Sequence, residues 1–259
     1  MARLDLRALA AKEGFRLEDT PELRATDRAS AIATWKGRMV NEHISARVFA
    51  GLLPQLMAAD VSAERQAEVA AMITEELRHA VLCASVVEAL GGEAVAELPA
   101  LPPVPAHEDA TPLEAVLRNV LSICCLSETV AVALIDAERR ATGPAALQSL
   151  LTTIVADEVG HSRFGWTLLD ELAHRIDPGL RERLDDYLVV ALEHLHTHEL
   201  SHLPPRAAPS EAAEAIGVCD GLEARGLFFD TVETAILPGL ELRGFRAREC
   251  WAAATAAAA

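Results

Sequence analysis

Two stretches of this chain carry the same pattern of charge inside apolar helical stripes. Glu42 is followed by Glu76-Leu77-Arg78-His79, and Glu128 by Glu158-Val159-Gly160-His161, at nearly the same spacing. Read at helical periodicity, Glu42 falls in the stripe Trp35, Met39, Ala46, Phe49. Glu128 falls in Leu117, Leu121, Cys124, Val132, Ile135. Glu158 and His161 fall in Leu151, Ile154, Gly165, Leu168, and Glu76 follows Val69 and Met72 and precedes Cys83. A buried carboxylate without a partner costs several kcal/mol, of the order of about 3–5. A chain that places four of them on core faces must fold so that they meet and are neutralised together.

The surrounding sequence supplies long helices for this. Of the 259 residues, 51% are apolar but only 4% aromatic. That favours helices, since sheets draw on aromatic and β-branched residues. A first helix is expected from about Ser30 to Leu53, with Pro54 kinking or ending it. A second runs from about Ser62 to Leu90 and stops at Gly91-Gly92. Residues 93–110 hold Pro99, Pro102, Pro103 and Pro105 and read as an extended connection. Thr111-Pro112-Leu113-Glu114 opens a third helix with an N-cap, a first-turn proline and a capping-box glutamate; it ends near Thr142. A fourth reaches about Ile176 and a fifth covers about Leu180 to Leu203. Shorter helices follow, about Glu211 to Ile236 and Gly239 to Ala253. The turns after helices 1 and 3 are short, so each pair forms an antiparallel hairpin. The connection after helix 2 is long enough to cross a bundle from end to end. One domain is expected over residues 1–259: an arm over 1–29, a four-helix core over 30–176 and a helical extension over 177–259.

Residues three apart on a helix share a face, so Glu76 with His79, and Glu158 with His161, each aim at one point. Glu42 and Glu128 return to that level across their hairpins. Four carboxylates balance two divalent cations, and this donor mixture suits non-haem iron or manganese better than thiolate-seeking metals. Four solvated charges and two incidental histidines are the alternative, but it fits poorly with their positions on apolar faces.

A lone Glu on each of two helices plus E-x-x-H on each of the other two resembles the ferritin-like di-iron carboxylate superfamily. Glu75-Glu76-Leu77-Arg78-His79 resembles the [DE]-E-x-R-H form of di-iron monooxygenases, and Asp157-Glu158-Val159-Gly160-His161 the looser D-E-x-x-H form. The resemblance covers roughly residues 30–175. It implies an all-α, ferritin-like four-helix bundle with a long crossover between helices 2 and 3, followed by C-terminal helices. It implies Glu42, Glu76, His79, Glu128, Glu158 and His161 as ligands of two Fe ions, with Mn or a mixed Mn/Fe pair as alternatives. It further implies that Asp157 accepts from His79 and Glu75 from His161, each acid steadying the histidine of the opposite motif.

Size and spacing look most like the small single-chain di-iron oxygenases. The expected function is activation of O2 to oxidise a small, largely apolar substrate, with electrons from an external donor; the alternative is a ferroxidase or iron-handling protein. Without a C-x-x-C pair, a rubrerythrin-like peroxidase with its own electron-transfer centre is disfavoured. The only tyrosine, Tyr187, lies outside the ligand helices, which disfavours a radical-generating subunit. Ile154, four before Glu158, cannot supply the third histidine of the arylamine N-oxygenases. A net charge of −16 disfavours nucleic acid and anionic membranes as partners. No run of eighteen apolar residues and no signal peptide is expected, and the five cysteines are expected as buried thiols. The thiols place the chain in the cytoplasm, and the sequence leaves the oligomeric state open, a homodimer included.

Weaker signals remain. His194, His196, His198 and His202 cluster late in helix 5, where a polar helix end or a second metal site would account for them. His43 points about 100° away from Glu42 and is not counted as a ligand. Cys83 and Cys124 face the bundle interior as ordinary core residues or pocket lining. Arg78, Arg139 and Arg140 read as surface or ion-pair residues.

Overall fold

The computed structural model describes residues 2–205 and 208–257, and they are predominantly helical. A short strand β1 (Arg3–Asp5) and helix α1 (Arg7–Glu13) precede two long helices, α2 (Ala25–Ala58) and α3 (Ala63–Ala89). The connection that follows contains β2 (Val95–Glu97), which pairs antiparallel with β1, a small sheet the sequence reading did not anticipate. Next come α4 (Pro112–Val120), a π-helical stretch (Leu121–Ser127) and α5 (Glu128–Ala141), continuous with one another, and then α6 (Ala145–Leu172). The extension holds α7 (Pro178–His202), α8 (Glu211–Glu214), α9 (Gly221–Thr231), a second π stretch (Val232–Ile236), α10 (Leu237–Leu242) and α11 (Ala247–Ala257).

Several boundaries differ from expectation for identifiable reasons. α2 continues through Pro54 for another turn, because Leu52 and Leu56 on either side are both fully buried and hold the turn in place. Thr111 caps α4 by accepting from the Glu114 amide. Glu114 does not complete a capping box, because Arg118 and Arg183 claim its carboxylate at 2.6 and 2.8 Å. The late helices are not divided at Gly239. The wide π turn before Pro238 accommodates its ring and missing N–H, and the break falls instead at Gly244, whose φ is +82°.

The apolar core divides into two clusters, and the division gives the direction of each helix. Trp35 and Met39, before Glu42, belong to one cluster; Phe49, Leu52 and Leu56, after it, belong to the other. α6 follows the same sense, with Leu151 and Ile154 in the first cluster and Phe164 and Leu168 in the second. α3 and the α4–α5 helix run the opposite way: Val69, Leu117 and Leu121 lie in the second cluster, Cys83 and Ile135 in or against the first. α3 therefore ends at one end of the bundle and α4 begins at the other. The connection between them travels along α2: Arg47 donates to the Leu101 carbonyl and Gln55 to that of Pro105, while Val104 fills the space over Gly51.

The chain has no unbroken run of eighteen apolar residues, but a membrane span tolerates a few polar positions. The continuous helix Pro112–Ala141 is long and apolar enough by length and composition. Within the fold it packs on α6, α7 and α9 and carries Glu128 at its middle.

Candidate metal centre

Between the two core clusters lies the layer of charge. Glu42, Glu76, His79 and Glu158 offer ligand atoms within 4.8 Å of one another, and so do Glu76, Glu128, Glu158 and His161. Each group could hold a metal ion, and the two share Glu76 and Glu158. α2 positions Glu42, α3 positions Glu76 and His79, α5 positions Glu128, and α6 positions Glu158 and His161. His79 Nδ1 lies 3.3 Å from Glu158, 3.7 Å from Glu42 and 3.9 Å from Glu76. His161 Nδ1 lies 3.1 Å from both Glu76 and Glu158 and 4.0 Å from Glu128.

The far nitrogen of each imidazole is occupied by the acid that precedes the opposite motif. His79 Nε2 sits 3.0 Å from the Asp157 carboxylate and His161 Nε2 sits 2.9 Å from that of Glu75. A carboxylate accepts, so both Nε2 atoms donate, and a neutral ring then turns its Nδ1 lone pair into the layer. His43 is not part of either group.

Bare, the layer is electrostatically frustrated. Burial, reinforced by the charges of Glu158 and Glu42, pushes the Glu76 carboxyl up to about 11. Burial and Glu158 likewise push Glu128 well above the carboxylate range. Burial opposes charging His79, but the nearby carboxylates of Glu158 and Glu42 outweigh it and raise the imidazole to about 11; the same balance, led by Glu158, takes His161 to about 9. Burial resists ionising Glu158 too, yet the two adjacent histidines hold it below the carboxylate range. Glu76 Oε2 and His79 Nδ1 are buried without hydrogen-bond partners. Two orphaned donor atoms facing each other among carboxylates are satisfied by a cation that both can ligate. The donor set therefore fits divalent metal, with protons as the competing neutraliser.

The layer is closed on the histidine side and looser on the other. The side chains of His79, His161, Glu76 and Glu158 are at most 3% exposed, whereas Glu42 is 13% and Glu128 is 9% exposed. α2 packs closely on α3, and α5 on α6; α2 and α5 do not form a comparable seam. Val132 and Ile135, expected on a buried face, are accordingly only half-buried. Cys83 and Cys124 are fully buried. Two surface clefts lie elsewhere. One, of about 250 Å³, is lined by Arg118, Arg183 and Tyr187, and the other, of about 280 Å³, by Leu169, Arg181 and Phe245.

Two features of the surroundings escaped the sequence reading. The π stretch Leu121–Ser127 ends immediately before Glu128. Its wider turn resets the direction of that side chain, and Gly165 lets α6 approach it: a Cβ there would stand 2.5 Å from the Cys124 Cβ. The second is a partly buried ion pair between Arg38, one turn before Glu42, and Glu138. It bridges α2 to α5, with the Arg38 guanidinium 4.8 Å from the Trp35 ring. A signal for it existed, since Arg38 occupies the same helical face as Glu42. Arg139 and Arg140, read as ion-pair residues, both pair with Asp136. Of the five cysteines, all free, Cys219 is exposed rather than buried.

The chain matches no model of a known protein family, and no curated protein matches it.

Proposed function

We propose that this chain is a ferritin-like di-iron carboxylate protein that activates O2 to oxidise a small, largely apolar organic substrate. One observation carries the reading: two four-ligand groups, each with one histidine and one carboxylate of its own, share Glu76 and Glu158. Two ions held in these groups would share Glu76 and Glu158 as ligands, with Glu42 and His79 completing one group and Glu128 and His161 the other. Bound there, a pair of ferrous ions supplies electrons for the reduction of O2. Manganese, or one ion of each, suits the same donors.

The chain's own residues do the rest. Asp157 and Glu75 fix the two rings and keep their donor atoms aimed inward. The apolar clusters above and below exclude water. The looser Glu42–Glu128 side is where O2 and substrate would approach, which puts the substrate against Val132 and Ile135 and accounts for its apolar character. Nothing in the site reads as a second redox group, so an external donor would complete the electron balance. Its free thiols and acidic composition support a cytoplasmic setting.

Tyr187 separates this reading from radical generation. It sits on α7, with its hydroxyl 2.9 Å from Ser122 Oγ and its ring edge-on to His107, and it belongs to neither ligand group. The iron-loaded protein is expected to consume O2 at the same rate with Tyr187→Phe as without it. A stable tyrosyl signal in electron paramagnetic resonance, abolished by that substitution, would contradict the proposal.

A further inference from the structure

The histidines late in α7 have no role in the buried layer, yet their geometry is specific. His194, His198 and His202 follow one another at one helical turn and are all exposed. The rings of His198 and His202 lie 4.3 Å apart, centroid to centroid, and those of His194 and His198 lie 5.7 Å apart. His196 is not one of them: it points to another face, against Phe229 and Trp251.

The hydrogen bonds of His202 settle which nitrogen is free. Its Nδ1 is 2.9 Å from the His198 carbonyl oxygen. A carbonyl can only accept, so Nδ1 carries the proton and donates it. In the neutral ring Nε2 then bears the lone pair, pointing away from the helix backbone. Metal-bound histidines are held in this way, the second nitrogen donating to a backbone carbonyl or carboxylate. His198 has the matching property for a different reason: partial desolvation by its packed neighbours, with the imidazoles of His202 and His194 adding, pushes it down to about 4. It is a free base at neutral pH, when a proton would otherwise occupy the metal-binding lone pair.

We propose that His198 and His202 form a two-imidazole site on the surface of α7 for a borderline divalent metal such as Cu2+, Ni2+ or Zn2+. Among the described residues, three or more ligand atoms converge only at the buried layer, so water completes the coordination here. The donor chemistry differs from that of the interior. Imidazole without carboxylate favours copper, nickel and zinc over manganese and magnesium, and copper should bind most tightly of the series. The net charge of −16 enriches cations around the whole surface without itself making a site.

The test is a calorimetric titration of the iron-loaded protein with Cu2+, and separately with Zn2+, near neutral pH. One equivalent beyond the buried centre is expected in the wild type. It should persist in His194→Ala. His198→Ala and His202→Ala should each abolish it, and because both side chains are exposed, circular dichroism should show intact helices. Retention of the extra equivalent in His198→Ala, its loss in His194→Ala, or its absence from the wild type would each overturn the assignment.

Discussion

Glu128→Ala is expected to leave the helices folded and to strip the protein of much of its iron. Glu128 is the carboxylate unique to the group completed by His161, and no other described Glu or Asp lies within ligand range of that group apart from the shared Glu76 and Glu158. Losing it leaves three donors where four converge, and the shared carboxylates cannot serve both positions fully. The fold has no such dependence. The α4–α5 helix is anchored by fully buried Leu117, Leu121, Cys124 and Leu126 on one side of Glu128 and by the Arg38–Glu138 pair on the other. Removing one of several mutually repelling carboxylates also relieves strain in the metal-free state, since Glu158 and Glu76 both oppose ionisation of Glu128. Iron per chain should fall well below the wild-type value while far-ultraviolet circular dichroism stays unchanged. Wild-type loading in the variant would remove Glu128 from the ligand set.

The second large effect concerns a residue that touches no metal. Asp157→Ala should weaken metal binding or activity by about 10–100-fold, the usual consequence of removing the hydrogen-bond partner of a ligating histidine. The Asp157 carboxylate holds His79 Nε2 at 3.0 Å, and without it the ring is free to change tautomer and turn its lone pair outward. Its side chain is 26% exposed, so the substitution leaves no sealed cavity in the core. Asp157→Asn is the informative companion: its amide oxygen can still accept from Nε2 but lacks the charge, so an intermediate loss is expected. Binding by Asp157→Ala indistinguishable from wild type would show that the packing around His79, not the acid, orients the ring.

The clustering of six side chains was legible because charge inside an apolar stripe is not explained by packing. Glutamate and histidine at positions 42, 76, 79, 128, 158 and 161 interrupt stripes of apolar residues, and i,i+3 spacing together with matched hairpin lengths brings them to one level. Asp157 and Glu75 were legible only through the resemblance, because a residue next to a buried glutamate carries no periodic signal of its own. The long helices and the crossover followed from turn residues and proline spacing. The two π stretches did not, because Leu121–Ser127 has the composition of an ordinary α-helix. The β1–β2 pair is three residues to a strand, too short for alternation to register. Val132 and Ile135 were placed on a buried face by periodicity, which reports a helix's stripe and is blind to whether a neighbouring helix covers it. The Pro112–Ala141 helix shows the same limit: its apolar length alone does not distinguish a bundle core from a membrane span.

The central claim is that one buried layer of four carboxylates and two imidazoles holds a pair of iron ions in each chain. The most direct measurement is the iron content of protein loaded anaerobically with excess ferrous ion and then desalted, read together with its mass in solution. The account predicts about two irons per chain, as the ligand pattern of di-iron carboxylate proteins requires, carried on a monomer or dimer. Iron that washes away on desalting, or a large multi-subunit shell carrying many irons per chain, would contradict it.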